Sequence, residues 1–171
     1  MASDPTRRAV VAAAAALPLL IAGCKGTQAL GTPPGPAPDV ARLRGAIRAE
    51  QDLVASYQAM LGRPSAGHGS EHAILTAVLT EHQDHLHQLR ARLIAGSPRA
   101  AGSAPLPRPR AAALPVDPRQ ALGELLLAER AASDRLLSQV AEVPPALAQL
   151  FASISASEAT HVLALHAAGA A

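Results

Sequence analysis

Apolar residues recur along most of this chain at intervals of three and four, the spacing that lines one face of an α-helix. The first stripe, Leu43, Ile47, Val54, Tyr57 and Leu61, predicts a helix over 40–61, with Asp39 as N-cap after Pro38 and Gly62 at its stop. The second, Leu75, Val78, Leu86, Leu89 and Leu93, predicts a helix over 71–95, opened by Ser70 and closed by Gly96. The third carries Leu122, Leu125, Leu126, Leu136 and Val140. It starts at Asp117-Pro118, an N-cap followed by proline at the first helical position, and ends before Pro144. The fourth begins near Pro145 and runs to about residue 167, with Leu147, Phe151, Ile154 and Leu165 on its stripe. At 1.5 Å per residue, each helix is about 30–37 Å long.

The connections differ in kind. Residues 62–70 and 143–145 are short, so the helices they join should be antiparallel neighbours. Residues 96–116 hold five prolines and no helical period. Extended, that stretch reaches roughly 60–70 Å, enough to run the length of a bundle. The expected fold is all-α: a four-helix bundle of two antiparallel hairpins joined by a long crossover linker. The alternative is an unstructured linker between hairpins in simple order.

Composition narrows this picture. Apolar residues make up 49% of the 171 positions but aromatics only 1%, so the core must be built from Leu, Ala, Val and Ile. Leu and Ala are strong helix formers. A formal charge of +2, with no Lys/Arg stripe and no aromatics for base stacking, argues against nucleic acid as a partner. The single cysteine, Cys24, excludes an internal disulfide and multi-cysteine zinc or iron–sulfur sites.

That cysteine closes an N-terminal leader. Thr6-Arg7-Arg8-Ala9 precedes an apolar run over 10–22 and then Gly23-Cys24, the charged and hydrophobic regions of a signal peptide, too short for a stable span. Ile21-Ala22-Gly23-Cys24 resembles a bacterial lipobox. That resemblance implies a signal peptide over 1–23, lipidation (palmitate) of Cys24 and anchoring at the extracytoplasmic face of a cell-envelope membrane. A plain secretory signal with a chance cysteine is the alternative. Arg7-Arg8 also fits twin-arginine export. Residues 24–38, rich in proline and glycine, are expected to be a flexible tether, leaving 39–171 as the helical domain.

Each apolar stripe is broken near its middle by ionisable residues. The first helix contributes Glu50, the second His82 and His85, the third Glu129, the fourth Glu158 and His161. Mid-helix residues fall in one layer of a bundle whichever way the helices run. Three carboxylates and three imidazoles in one buried layer suit a transition metal such as Fe, Mn or Zn. Without metal, adjacent buried glutamates would repel and some would stay protonated, and a metal-free polar layer of Glu–His hydrogen bonds is the competing reading. Tyr57 reads first as core packing and second as a donor to this layer. His68, His72 and His166 are expected to be solvated, and His87, Asp84, Glu124 and Arg130 to face outward.

The pattern resembles the ferritin-like superfamily, whose di-iron members use one Glu from each of two helices and Glu-x-x-His from the other two. Glu50 and Glu129 match the single glutamates, and Glu158-Ala-Thr-His161 matches the motif. The organisation as a whole is similar to small ferritin-like lipoproteins of bacteria. The second helix departs from the family: His82-Gln-Asp-His85 stands where Glu-x-x-His is expected, with Glu81 on the flank. Three carboxylates do not balance two divalent ions, which favours a single ion, or zinc rather than di-iron. The resemblance implies a membrane-anchored metal-binding protein, with metal-dependent oxidoreductase chemistry as one outcome. A different class of function is a non-enzymatic helical lipoprotein that docks an envelope protein and keeps a metal-free polar core.

Overall fold

The computed structural model describes residues 38–64, 69–93, 105–106 and 108–169. The expected leader, Cys24, the tether up to residue 37 and His68 lie outside them. The described residues form four helices and no strand: α1 (Pro38–Leu61), α2 (Ser70–Arg92), α3 (Pro118–Gln139) and α4 (Pro145–Gly169), with a 3-10 turn at Val140–Glu142 after α3. No helix among them is long and apolar enough to cross a membrane.

Three boundaries differ from the expected ones, each for a local reason. Helix α1 begins at Pro38, with Asp39 in its first turn. Proline fits there because its missing N–H would have no partner anyway, and an acidic residue in that turn faces the positive end of the helix dipole. Helix α2 takes in Ser70 and is preceded by Gly69 at φ 94°, a left-handed conformation that glycine adopts without penalty. It ends at Arg92 rather than 95, where the Leu93 N–H bonds to the Arg90 carbonyl. Helix α3 starts as expected: the Asp117 carboxylate accepts the Gln120 N–H at 2.8 Å.

Helix α1 also buries a wider face than its stripe predicts. Leu53 and Met60 are buried, whereas Val54 and Leu61 are only half-buried. Leu53 and Met60 pack in one cluster with residues of α2, α3 and α4, and the proline-rich segment before α3 is tied along the flank of α1. The Arg110 N–H donates to the Asp52 carboxylate at 2.7 Å, and the Ala112 N–H to Ser56 Oγ at 2.8 Å. The Arg63 guanidinium donates to the carbonyls of Leu114 and Pro115. At the far end of α1, Arg42 pairs with Glu142.

Helix α1 packs most extensively on α2, and α3 on α4; α2–α4 and α1–α3 contacts complete the bundle. Between α3 and α4, the Ser133 and Ser155 hydroxyls each donate to the other residue's carbonyl, at 2.9 and 3.0 Å. The core falls into two apolar clusters. One joins Leu53, Tyr57 and Met60 of α1 to Leu75 and Val78 of α2, Leu122 and Leu125 of α3, and Leu165 of α4. The other joins Leu43 and Ile47 to Leu86 and Leu89, Leu136, and Leu147, Phe151 and Ile154. The ionisable residues lie where the two meet.

The cap at Asp117 gives a direct check on the junction between the proline-rich segment and α3. Asp117→Ala is expected to destabilise the domain by about 1 kcal/mol, read from its urea denaturation midpoint.

Candidate metal centre

All six residues singled out by the stripe pattern are buried, none more than 7% exposed. Their periodicity puts them on the inward face of each helix, between apolar neighbours, so no solvent is available to them and they must satisfy one another.

His82 sits at the centre. Its Nδ1 lies 2.9 Å from Glu50 Oε2 and its Nε2 2.8 Å from Glu129 Oε1. Glu129 is the most heavily engaged carboxylate: Tyr57 donates its hydroxyl to Oε1 at 2.6 Å, and His161 Nδ1 lies 3.2 Å from Oε2. His85 Nδ1 is 3.7 Å from Glu50 Oε1, beyond hydrogen-bond distance. The imidazoles are mutual neighbours, with His82 5.0 Å from His161 and 5.8 Å from His85 between ring centroids. Tyr57 therefore packs in the core and also serves the layer.

Two further residues join from outside the pattern. Glu81 Oε2 lies 2.9 Å from His161 Nε2 and accepts the Ser157 hydroxyl at 2.9 Å. Periodicity could not select Glu81, because its side chain is 53% exposed and reaches the layer by length. The available sign was its place next to His82, facing the neighbouring helix. His72, His87, Asp84, Glu124, Arg130 and His166 are exposed.

The electrostatics follow from burial set against pairing. Burial works against charge on His82, but hydrogen bonds to Glu129 and Glu50 outweigh it and raise the imidazole to about 10. Burial likewise opposes charge on Glu129, and the bonds from His161, His82 and Tyr57 overcome it, lowering the carboxyl to about 2. Tyr57 is pushed far above its ordinary value by burial and by Glu129, so it remains a donor. Glu158 goes the other way. Burial and the neighbouring carboxylates of Glu50 and Glu129 raise it to about 9. His85 is lowered by burial. At neutral pH the layer thus holds an ionised Glu129 against a protonated His82, with a neutral Glu158 and a neutral His85 beside them.

Nδ1 of His85 is buried without a hydrogen-bond partner, and the two oxygens of Glu158 meet no N–H or hydroxyl donor. The hydrogen-bonding neighbour of Glu158 is Glu50, to which a protonated Glu158 can donate; two carboxylates can bond only if one is protonated. Imidazole nitrogens and carboxylate oxygens are what divalent transition metals take, and two triads have ligand atoms within 4.8 Å of one another: Glu50–His82–His85 and His82–Glu129–His161. The donor set therefore fits a metal ion. No family model matches the chain, and no curated protein or solved structure is detectably similar to it.

The metal-free protein should lose stability as pH rises from 6.5 to 9. In that range the unfolded chain has released the protons of Glu158 and His82, while the folded protein retains both. The folded state binds more protons, so stability falls by on the order of 1 kcal/mol per pH unit for each retained proton. Thermal denaturation after chelation would show this as a melting temperature lower at pH 9 than at pH 6.5. Glu158→Gln keeps the neutral form without a proton, and should be more stable than the wild type at pH 8 by at least about 1 kcal/mol.

Proposed function

We propose that this protein is a ferritin-like, membrane-tethered lipoprotein that binds a transition metal (Fe, Mn or Zn) in the Glu/His layer between its two apolar clusters. The observation that carries the reading is the pair of triads whose ligand atoms lie within 4.8 Å of one another, with the unpartnered Nδ1 of His85 and the crowding of Glu158 against Glu50 beside them. A cation is the natural partner for buried, crowded carboxylates, and all six ligand candidates belong to that one layer. The composition of the two clusters supports the topology. The C-terminal half of α1 meets the N-terminal halves of α2 and α3 and the C-terminal end of α4, as two antiparallel hairpins joined by a crossover along α1 require. Lipidated Cys24 is the proposed anchor, at the extracytoplasmic face of the membrane. A bound iron or manganese would supply redox chemistry and thus a metal-dependent oxidoreductase activity. Zinc would supply structure or metal storage.

A second reading has its own observation. Leu127 and Leu163 are exposed, and an open apolar groove of about 730 Å³ runs between α3 and the end of α4, lined by Leu122, Leu126, Leu127 and Leu165. In this reading the domain docks an envelope protein, and the polar layer only fixes helix register.

Metal analysis together with an ultraviolet–visible spectrum separates the two. The metal reading expects at least one equivalent of Fe, Mn or Zn per chain after loading. It also expects a melting temperature that rises with metal, by about 2.7 kcal/mol of stability at a hundred times the dissociation constant. Glu50→Gln should abolish both effects while circular dichroism remains helical. A folded wild-type protein that takes up none of these ions would leave only the docking reading.

A further inference from the structure

The two triads compete for one ring. His82 belongs to both, and a neutral imidazole has a single lone pair. It can serve an ion through Nδ1 or through Nε2, not both. The hydrogen bonds around it are unequal. On the Nε2 side every group is engaged. Glu129 Oε1 accepts from Tyr57, and Oε2 faces His161 Nδ1. His161 Nε2 faces Glu81, which Ser157 also holds. On the Nδ1 side lie Glu50, His85 with its unpartnered Nδ1, and Glu158, which meets no N–H or hydroxyl donor and neighbours Glu50.

We propose that the layer binds one divalent ion through Glu50, Glu158, His82 Nδ1 and His85 Nδ1, and that Glu129, His161 and Glu81 form a hydrogen-bonded brace outside the ion's ligands. This rests on the metal reading above and narrows it from six candidate ligands to four. Two carboxylates and two neutral imidazoles balance a 2+ charge and supply the four N/O ligands that zinc takes. His82 then donates its Nε2–H to Glu129. An outer carboxylate of this kind fixes the tautomer and orientation of a ligating ring. Glu129 is a positioning residue in this arrangement, with one oxygen held by Tyr57 and the other by His161. The departure of helix α2 from Glu-x-x-His acquires a reason: His82 and His85 both point a nitrogen at Glu50.

The test is Zn(II) competition titration of the full chain against a chromophoric chelator, with nitrogen-15 spectra of the histidines in the Zn(II)-loaded protein. One Zn(II) per chain is expected, with Nδ1 of His82 and of His85 metallated and neither nitrogen of His161. Glu158→Gln should weaken Zn(II) by more than about 100-fold, the upper end of what outer partners carry. Glu81→Ala, at an exposed side chain, should stay within about 10-fold of the wild type, the lower end of the same range. Two ions per chain, metallated His161, or a Glu158→Gln protein that binds like the wild type would each overturn the assignment and leave the metal reading standing. A wild type that takes no Zn(II), Fe(II) or Mn(II) would instead sink the metal reading, and this assignment with it.

Discussion

The contact on which the bundle depends is His82 held between Glu50 and Glu129. It ties α1, α2 and α3 together through one imidazole, at 2.9 and 2.8 Å, with all three side chains at or below 2% exposure. Ionised groups at that depth are tolerated only in such an arrangement, because desolvation otherwise exceeds the attraction between them. The constraint is also one of register. Sliding α2 by one residue would remove His82 from both carboxylates and take from Glu50 its one imidazole hydrogen bond. Apolar packing of Leu and Ala alone discriminates poorly between registers, since one small aliphatic side chain fits much as another does. In a core with so few aromatics, the polar layer supplies the specificity that shape does not.

Why the layer sits where it does follows from the apolar clusters on either side. Each draws on all four helices, and together they provide the hydrophobic stabilisation that offsets a mid-core band of desolvated groups. The layer divides into a satisfied part and a frustrated part. Around Glu129 the donors match the acceptors, with Tyr57, His82 and His161 all directed at one carboxylate. Around Glu158 they do not, and the carboxyl can remain only by keeping its proton. Such a local mismatch inside an otherwise consistent fold is the pattern expected of a functional site.

Much of this was legible in the sequence, and the limits of legibility have physical causes. Helix periodicity placed Glu50, His82, His85, Glu129, Glu158 and His161 on inward faces because a buried face repeats with the helix. It also placed the cap at Asp117, where residue type and the following proline agree. It did not foresee Leu53 and Met60 inside and Val54 half-out. Leu53 and Met60 are buried among residues of the other three helices, contacts distant in sequence that periodicity does not encode. Glu81 escaped for a related reason: its Cα lies off the stripe, and only the length of its side chain brings it to His161. Tyr57 was placed on the correct face, but which polar group its hydroxyl meets depends on α3.

The metal-free and metal-bound readings invoke the same six side chains, so proximity alone does not discriminate between them. What discriminates is the balance of donors and acceptors. A polar layer selected only to fix register would be expected to close its own hydrogen bonds, as a buried polar network with open members is worse than an apolar core. This layer closes them around Glu129 and leaves Nδ1 of His85 without a partner, with Glu158 crowded against Glu50. An open, acid-rich half beside a closed, braced half is unfavourable for a purely structural device and suited to a site that receives a cation. In the arrangement proposed above, Glu129 would hold the His82 ring through Nε2, and binding an ion at Nδ1 would release the proton that side now shares with Glu50.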